Sequence, residues 1–86
     1  MSEHQLKTWP EYFEAVRCGD KTFEVRKNDR DYKAGDTLVL QEFDPDTKSY
    51  TGRELRHRVT YLLDNDYCRD GYVIMALSRD GEVVEP

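Results

Sequence analysis

The sequence predicts an α+β fold, a small and mostly antiparallel β-barrel of five or six strands with one main helix plugging an end. Three observations point there. A single stretch of helical periodicity ends by residue 19, and everything after it alternates in short runs bounded by turn residues. With 86 residues there is room for one domain, 1–86, and neither repeat nor linker nor low-complexity segment divides it.

His4 to Thr8 reads as a first strand. Thr8-Trp9-Pro10-Glu11 then fits a capping box, with proline in the first helical turn where its missing N–H goes unnoticed. Trp9, Phe13 and Val16 fall at i, i+4 and i+7, flanked by Tyr12 and Ala15, an apolar stripe for the core. Gly19 supplies the left-handed residue that ends the helix.

Lys21 to Lys27 reads as a strand whose Phe23 and Val25 point inward, while Thr22, Glu24, Arg26 and Asn28 share the other face. Asn28-Asp29-Arg30-Asp31 is turn chemistry. Ala34-Gly35-Asp36 turns into the apolar run Thr37–Phe43, and Asp44–Ser49 forms a hairpin turn closed by Tyr50-Thr51-Gly52. From Glu54 to Leu63 the odd positions Leu55, His57, Val59, Tyr61 and Leu63 form an inward face, which makes His57 a packed or rim histidine. An acidic loop over 64–71 leads to Tyr72–Ser78, apolar on both faces and hence a central strand. Glu82-Val83-Val84 is an edge strand or frayed tail. The core expected from this pattern is Trp9, Phe13, Val16, Phe23, Val25, Leu38, Leu40, Val59 and Ile74.

Composition narrows the function classes. Apolar residues are 37% and charged ones 36%, but 12% aromatic content and clear alternation argue for a folded chain rather than a disordered one. The net charge is −5; residues 1–33 are neutral, so the acidic surplus lies in the C-terminal part. Non-specific attraction to a phosphate backbone is therefore weak, and any nucleic-acid contact must be local and N-terminal. No stretch has the apolar length of a membrane span, and Met1-Ser2-Glu3-His4 is no signal peptide. Cys18, Cys68, His4 and His57 lack ligand spacing, so we expect no metal, no cofactor and reduced thiols in a cytoplasm.

The chemistry concentrates between Gly19 and Arg30, where Lys21, Glu24, Arg26, Asn28 and Arg30 crowd a helix–strand junction opposite His4 and Lys7. Charges so placed are costly in a core and useful in a groove. Lysine and arginine offer donors to phosphate or carbonyl, arginine as a planar fork. Glu24 is suited to a base amine or to holding Arg26, and Asn28 to a base edge. The competing reading of Glu24 and Arg26 is a solvated surface pair worth less than about 1 kcal/mol.

Gly19-x-Lys21-x-x-Glu24-x-Arg26 after a short helix, with Gly35-Asp36 before an apolar strand, resembles the ASCH domain family, relatives of PUA-type RNA-binding barrels. His4-x-Leu6-Lys7, Pro10-x-Tyr12-Phe13, Phe23-Glu24-Val25-Arg26-x-Asn28-Asp29-Arg30 and Gly71–Ile74 look like a bacterial and phage subfamily of unknown function. The resemblance implies a PUA-like barrel with a groove lined by the motif, binding RNA or a modified nucleotide. One bacterial ASCH protein is an amidohydrolase of an acylated cytidine such as N4-acetylcytidine. Its lysine and arginine match Lys21 and Arg26, but Glu24 stands at the position of its catalytic threonine, and its distant catalytic glutamate finds no counterpart here. The resemblance thus implies a nucleic-acid-binding module using His4, Lys7, Lys21, Glu24, Arg26, Asn28 and Arg30. The alternatives are a hydrolase with Lys21 and Glu24 as catalytic candidates, or an interaction module of a phage or mobile element.

Overall fold

The structure, a computed structural model, describes residues 1–64 and 68–86. The chain runs β1 (Glu3–Thr8), α1 (Pro10–Arg17), β2 (Phe23–Lys27), β3 (Thr37–Asp44), β4 (Ser49–Asp64), β5 (Tyr72–Leu77) and β6 (Glu82–Val84). These strands form one mixed sheet in the order β1-β3-β4-β5-β2, with β6 beside β4. β1 runs parallel to β3, placing Leu6 opposite Leu40; the other pairings are antiparallel. The sheet is not closed into a barrel: β1 and β2 are its two ends, and no ladder joins them.

Helix α1 starts without the expected capping box. Trp9 is the N-cap, extended at φ −61° and ψ 149°, and no side chain caps the first turn. The cause lies in β1, whose pleat turns Thr8 inward, where its hydroxyl donates to the Leu6 carbonyl at 3.1 Å. The far end is as the sequence reads: Cys18 closes the last turn and Gly19 follows at φ +87°. Eight helical residues bury only Phe13 and Val16. They meet Leu6, Leu38, Leu40, Leu55, Val59, Val73, Met75 and Leu77 in the core.

Trp9 therefore leaves the expected core and is 40% exposed. Three strand phases are also corrected. On β2, Glu24 is the buried residue at 3% exposure, while Phe23 and Val25 point outward. On β5, Val73, Met75 and Leu77 are buried and Ile74 takes the outer face. On β4, Leu55, His57 and Val59 face inward, but a bulge at Thr60 shifts the register between Val59 and Tyr61. Alternation inverts past that extra residue, so Tyr61 is exposed and Leu62 packs on the core. The outer side of this half of the sheet is apolar, with Phe23, Ala76 and Tyr61 in one cross-strand row and Val25, Ile74 and Leu63 in the next.

β4 is longer than its alternating run. Its first residues, Ser49 to Arg53, pass through an irregularity opposite Glu42 and complete the hairpin with β3. His57 packs at the sheet end as expected of a structural histidine, its Nδ1 2.8 Å from the Ser78 carbonyl. Gly81 lies against the ring, where a Cβ would collide with it. Of the acidic loop expected over 64–71, residues 65–67 lie outside the described residues.

Candidate functional site

The edge of β1 that does not pair with β3 presents carbonyl groups without ladder partners. Two arginines reach them from the opposite edge. Arg26 on β2 donates through Nη2 to the Lys7 carbonyl at 3.1 Å and to the Thr8 hydroxyl at 3.3 Å. Arg30, in the loop after β2, donates through Nη1 to the Gln5 carbonyl at 2.8 Å. Side chains therefore bridge the gap between the sheet's two ends.

Glu24 sits behind this bridge. Lys21 Nζ lies 2.6 Å from its Oε1 and also donates to the Phe23 carbonyl at 2.8 Å. Arg26 Nε holds Oε2 at 2.9 Å. Both carboxylate oxygens thus have a charged donor, which is what lets an acid face inward on a strand. The local fold makes the pairing possible: the turn after Gly19, pinned by the Lys21 N–H on the Ala15 carbonyl, delivers Lys21 alongside the start of β2. The period of two then puts Arg26 on the same face as Glu24.

A cleft of about 510 Å³ opens over this triad, lined by Lys7, Thr8, Trp9, Tyr12, Lys21, Glu24, Val25 and Arg26. Of the residues expected from the sequence, the structure brings Lys7, Lys21, Glu24 and Arg26 together here. It does not bring His4, Asn28 or Arg30 to the lining. His4 lies part-buried on the inner face of β1, edge-on to Tyr32 at 4.7 Å, with Nε2 donating to Asp36 at 2.9 Å. Asn28 turns its side-chain oxygen to the Tyr32 N–H at 3.2 Å, closing its own loop. Arg30 is engaged in the strand bridge.

The partner of His4 is itself informative. Asp36 is 3% exposed and also accepts the N–H groups of Ser2 and Lys33. Burial pushes its carboxyl up, but those two hydrogen bonds and the His4 contact outweigh burial and hold it below the ordinary carboxylate value. Asp36 thus ties the start of β1 to the turn before β3. It is a structural hub rather than part of the cleft.

Sequence reasoning missed the aromatic wall. Helical spacing puts Trp9 and Tyr12 in the core stripe, yet they are 40% and 50% exposed at the cleft. A signal existed in the neighbours Tyr12-Phe13, since adjacent helical positions lie about 100° apart and one core cannot take both rings. Beyond Trp9 the aromatic surface continues to Phe43 at 5.7 Å between centroids and on to Tyr50 at 5.1 Å, with Lys7 Nζ 4.4 Å above the Phe43 ring.

Residues 3–77 match a family model described as a domain of unknown function, DUF3850. The chain belongs to this family. An uncharacterised 12.9 kDa protein in the GpA 3′ region of Escherichia phage P2 is 38% identical over 72 residues. That match covers 84% of this chain and 64% of the phage protein, so it spans a little under two thirds of the relative's length. The DUF3850 match takes in the whole lining of the cleft and leaves β6 outside. Among the described residues of this DUF3850 chain, no group of three His, Cys, Asp or Glu side chains is placed to hold a metal ion, and no helix is long and apolar enough to cross a membrane.

Proposed function

We propose that the cleft binds RNA or a nucleotide-like ligand, in the manner of the ASCH and PUA-like domains that the Lys21–Arg26 motif resembles, inside a cytoplasm and without a cofactor. One observation carries the reading: cationic donors stand beside exposed aromatic rings in a single cleft. Arg26 Nη1 and Lys7 Nζ have no hydrogen bond or ion pair among the described residues, and Trp9 and Tyr12 stand exposed within the same lining. An anionic group meets the donors while a flat ring lies on the aromatics, the pairing that a nucleotide offers. Glu24 acts here as the positioning residue that fixes Lys21 and Arg26. The hydrolase reading draws less support, because both Glu24 oxygens are already engaged by Lys21 and Arg26 and neither is free for a substrate.

Titrating short single-stranded RNA and free nucleotides at two salt concentrations tests the reading. Lys7→Ala removes an exposed cation without touching the strand bridge. It is expected to weaken binding and flatten the salt slope by about 0.7, the value for one phosphate on a single strand, at an unchanged melting temperature. Arg26→Lys should also bind less well, because an ammonium held on Glu24 has no counterpart of the free Nη1. Control changes at Arg56 and Arg58 should matter little. If the parent binds none of these ligands, or Lys7→Ala and Arg26→Lys bind as the parent does, the reading fails. Turnover of an acylated cytidine that disappears in Lys21→Ala would establish the hydrolase instead.

A further inference from the structure

The aromatic surface does not stop at the cleft. Trp9 belongs to the lining, Phe43 adjoins it from β3, and Tyr50 adjoins Phe43 from the paired position on β4. The rings are not stacked on one another: Trp9 and Phe43 are tilted by 44°, Phe43 and Tyr50 by 75°. Tilted and edge contacts hold the rings in a row without closing their flat faces against each other. Trp9 and Tyr50 keep 40% and 54% of their surface exposed. Beside this row stands the Lys7 ammonium, on the Phe43 ring and without an ion pair among the described residues.

We propose that this row is a stacking platform for a single-stranded nucleic acid, with one base on Trp9 at the cleft and a following base on Tyr50. Lys7 Nζ meets the phosphate between them. The inference rests on the nucleotide reading of the cleft and extends it: the ligand is a strand of at least two or three nucleotides, not a free nucleotide. Stacking on aromatic faces tolerates every base, so sequence preference is weak. The platform is also short. At the hairpin tip next to Tyr50, Asp44 and Asp46 outweigh Lys48, and that net negative charge repels a continuing backbone.

The test compares a hexauridylate with uridine monophosphate on the full chain, in the parent, Tyr50→Ala, Tyr50→Trp and Lys7→Ala. Tyr50 is exposed, so melting temperatures should match the parent. Tyr50→Ala is expected to weaken the hexamer by about 5- to 150-fold, the loss of one stacked base, and to leave the mononucleotide unaffected. Tyr50→Trp should restore or exceed parent affinity, and Lys7→Ala should lower the hexamer's salt slope. A hexathymidylate arm distinguishes DNA from RNA as the source of the strand. If the mononucleotide binds but the hexamer binds no tighter, or is indifferent to Tyr50, the platform is refuted and the cleft reading stands. If neither ligand binds the parent, both are refuted.

Discussion

Arg26 reaches the Lys7 carbonyl oxygen at 3.1 Å while its Nε stays 2.9 Å from Glu24, so one guanidinium ties strand to strand and neutralises a buried acid. Arg26→Ala is therefore expected to cost about 1.5–3 kcal/mol, and Arg26→Lys to recover part of that, since a lysine can keep the Glu24 contact but cannot also span to β1. Glu24→Ala should cost about 3–5 kcal/mol, because it leaves Lys21 and Arg26 facing each other without the carboxylate. Glu24→Gln should be milder. Urea denaturation of the four variants checks the order. An exposed pair would give changes below about 1 kcal/mol throughout.

The phases of β2 and β5 make a sharper test. Met75 is fully buried, whereas Val25 is 49% exposed. Met75→Ala is expected to cost about 2–5 kcal/mol and Val25→Ala less than about 1 kcal/mol. Phe13→Ala against Trp9→Ala should repeat the contrast on the helix. Thermal melts of the four variants decide, and equal losses within either pair would mean that the faces are misassigned.

Acid should act through Asp36. Its folded carboxyl titrates below the ordinary aspartate value of about 3.9, so the unfolded chain binds the proton more readily. The stability it contributes is complete above about pH 4 and is lost as pH falls through the folded value. Asp36→Asn should lower stability at pH 7 by about 1–3 kcal/mol, because its amide NH2 cannot accept the hydrogen bonds that one carboxylate oxygen takes, and flatten the acid limb of the stability curve. Denaturation midpoints from pH 2 to 7 for parent and variant measure both effects.

The two thiols should differ in reactivity. Cys18 is exposed at the helix end, while Cys68 is half-buried with its Sγ 3.4 Å from the Leu63 carbonyl. A disulfide-exchange reagent is expected to label Cys18 first in the native protein and both at equal rates in denaturant. Equal native rates would contradict the burial of Cys68.

Much of the fold was legible because it rests on local rules. The helix end at Gly19, the hairpin turn after Asp44 and most strands follow from turn chemistry and alternation. What escaped was long-range. Alternation says that Glu24 and Val25 face opposite ways, but which way is in depends on a lysine before the strand, an arginine two residues on in the same strand and the opposite sheet edge. A single extra residue at Thr60 likewise reverses every side chain after it, and no local propensity marks it. In the candidate site, the cations Lys7, Lys21 and Arg26 were visible as a charge cluster. The wall formed by Trp9 and Tyr12 was not, because aromatics on a short helix look like core until tertiary packing chooses among them.

The sixteen residues of β4 carry one more consequence. Residues 49–58 pair with β3, residues 54–56 also with β6, and residues 59–64 with β5, so the ladders of both halves of the sheet hang on one continuous backbone. Each half keeps a ladder of its own, β1 on β3 and β2 on β5, but both are anchored through β4. Opening either one frees a length of β4 that the other needs fixed, so the molecule lacks the independent subunits from which partial unfolding is built. Slowly exchanging amides on Leu38–Leu40 and on Val73–Leu77 should therefore converge on one opening free energy, that of the whole chain.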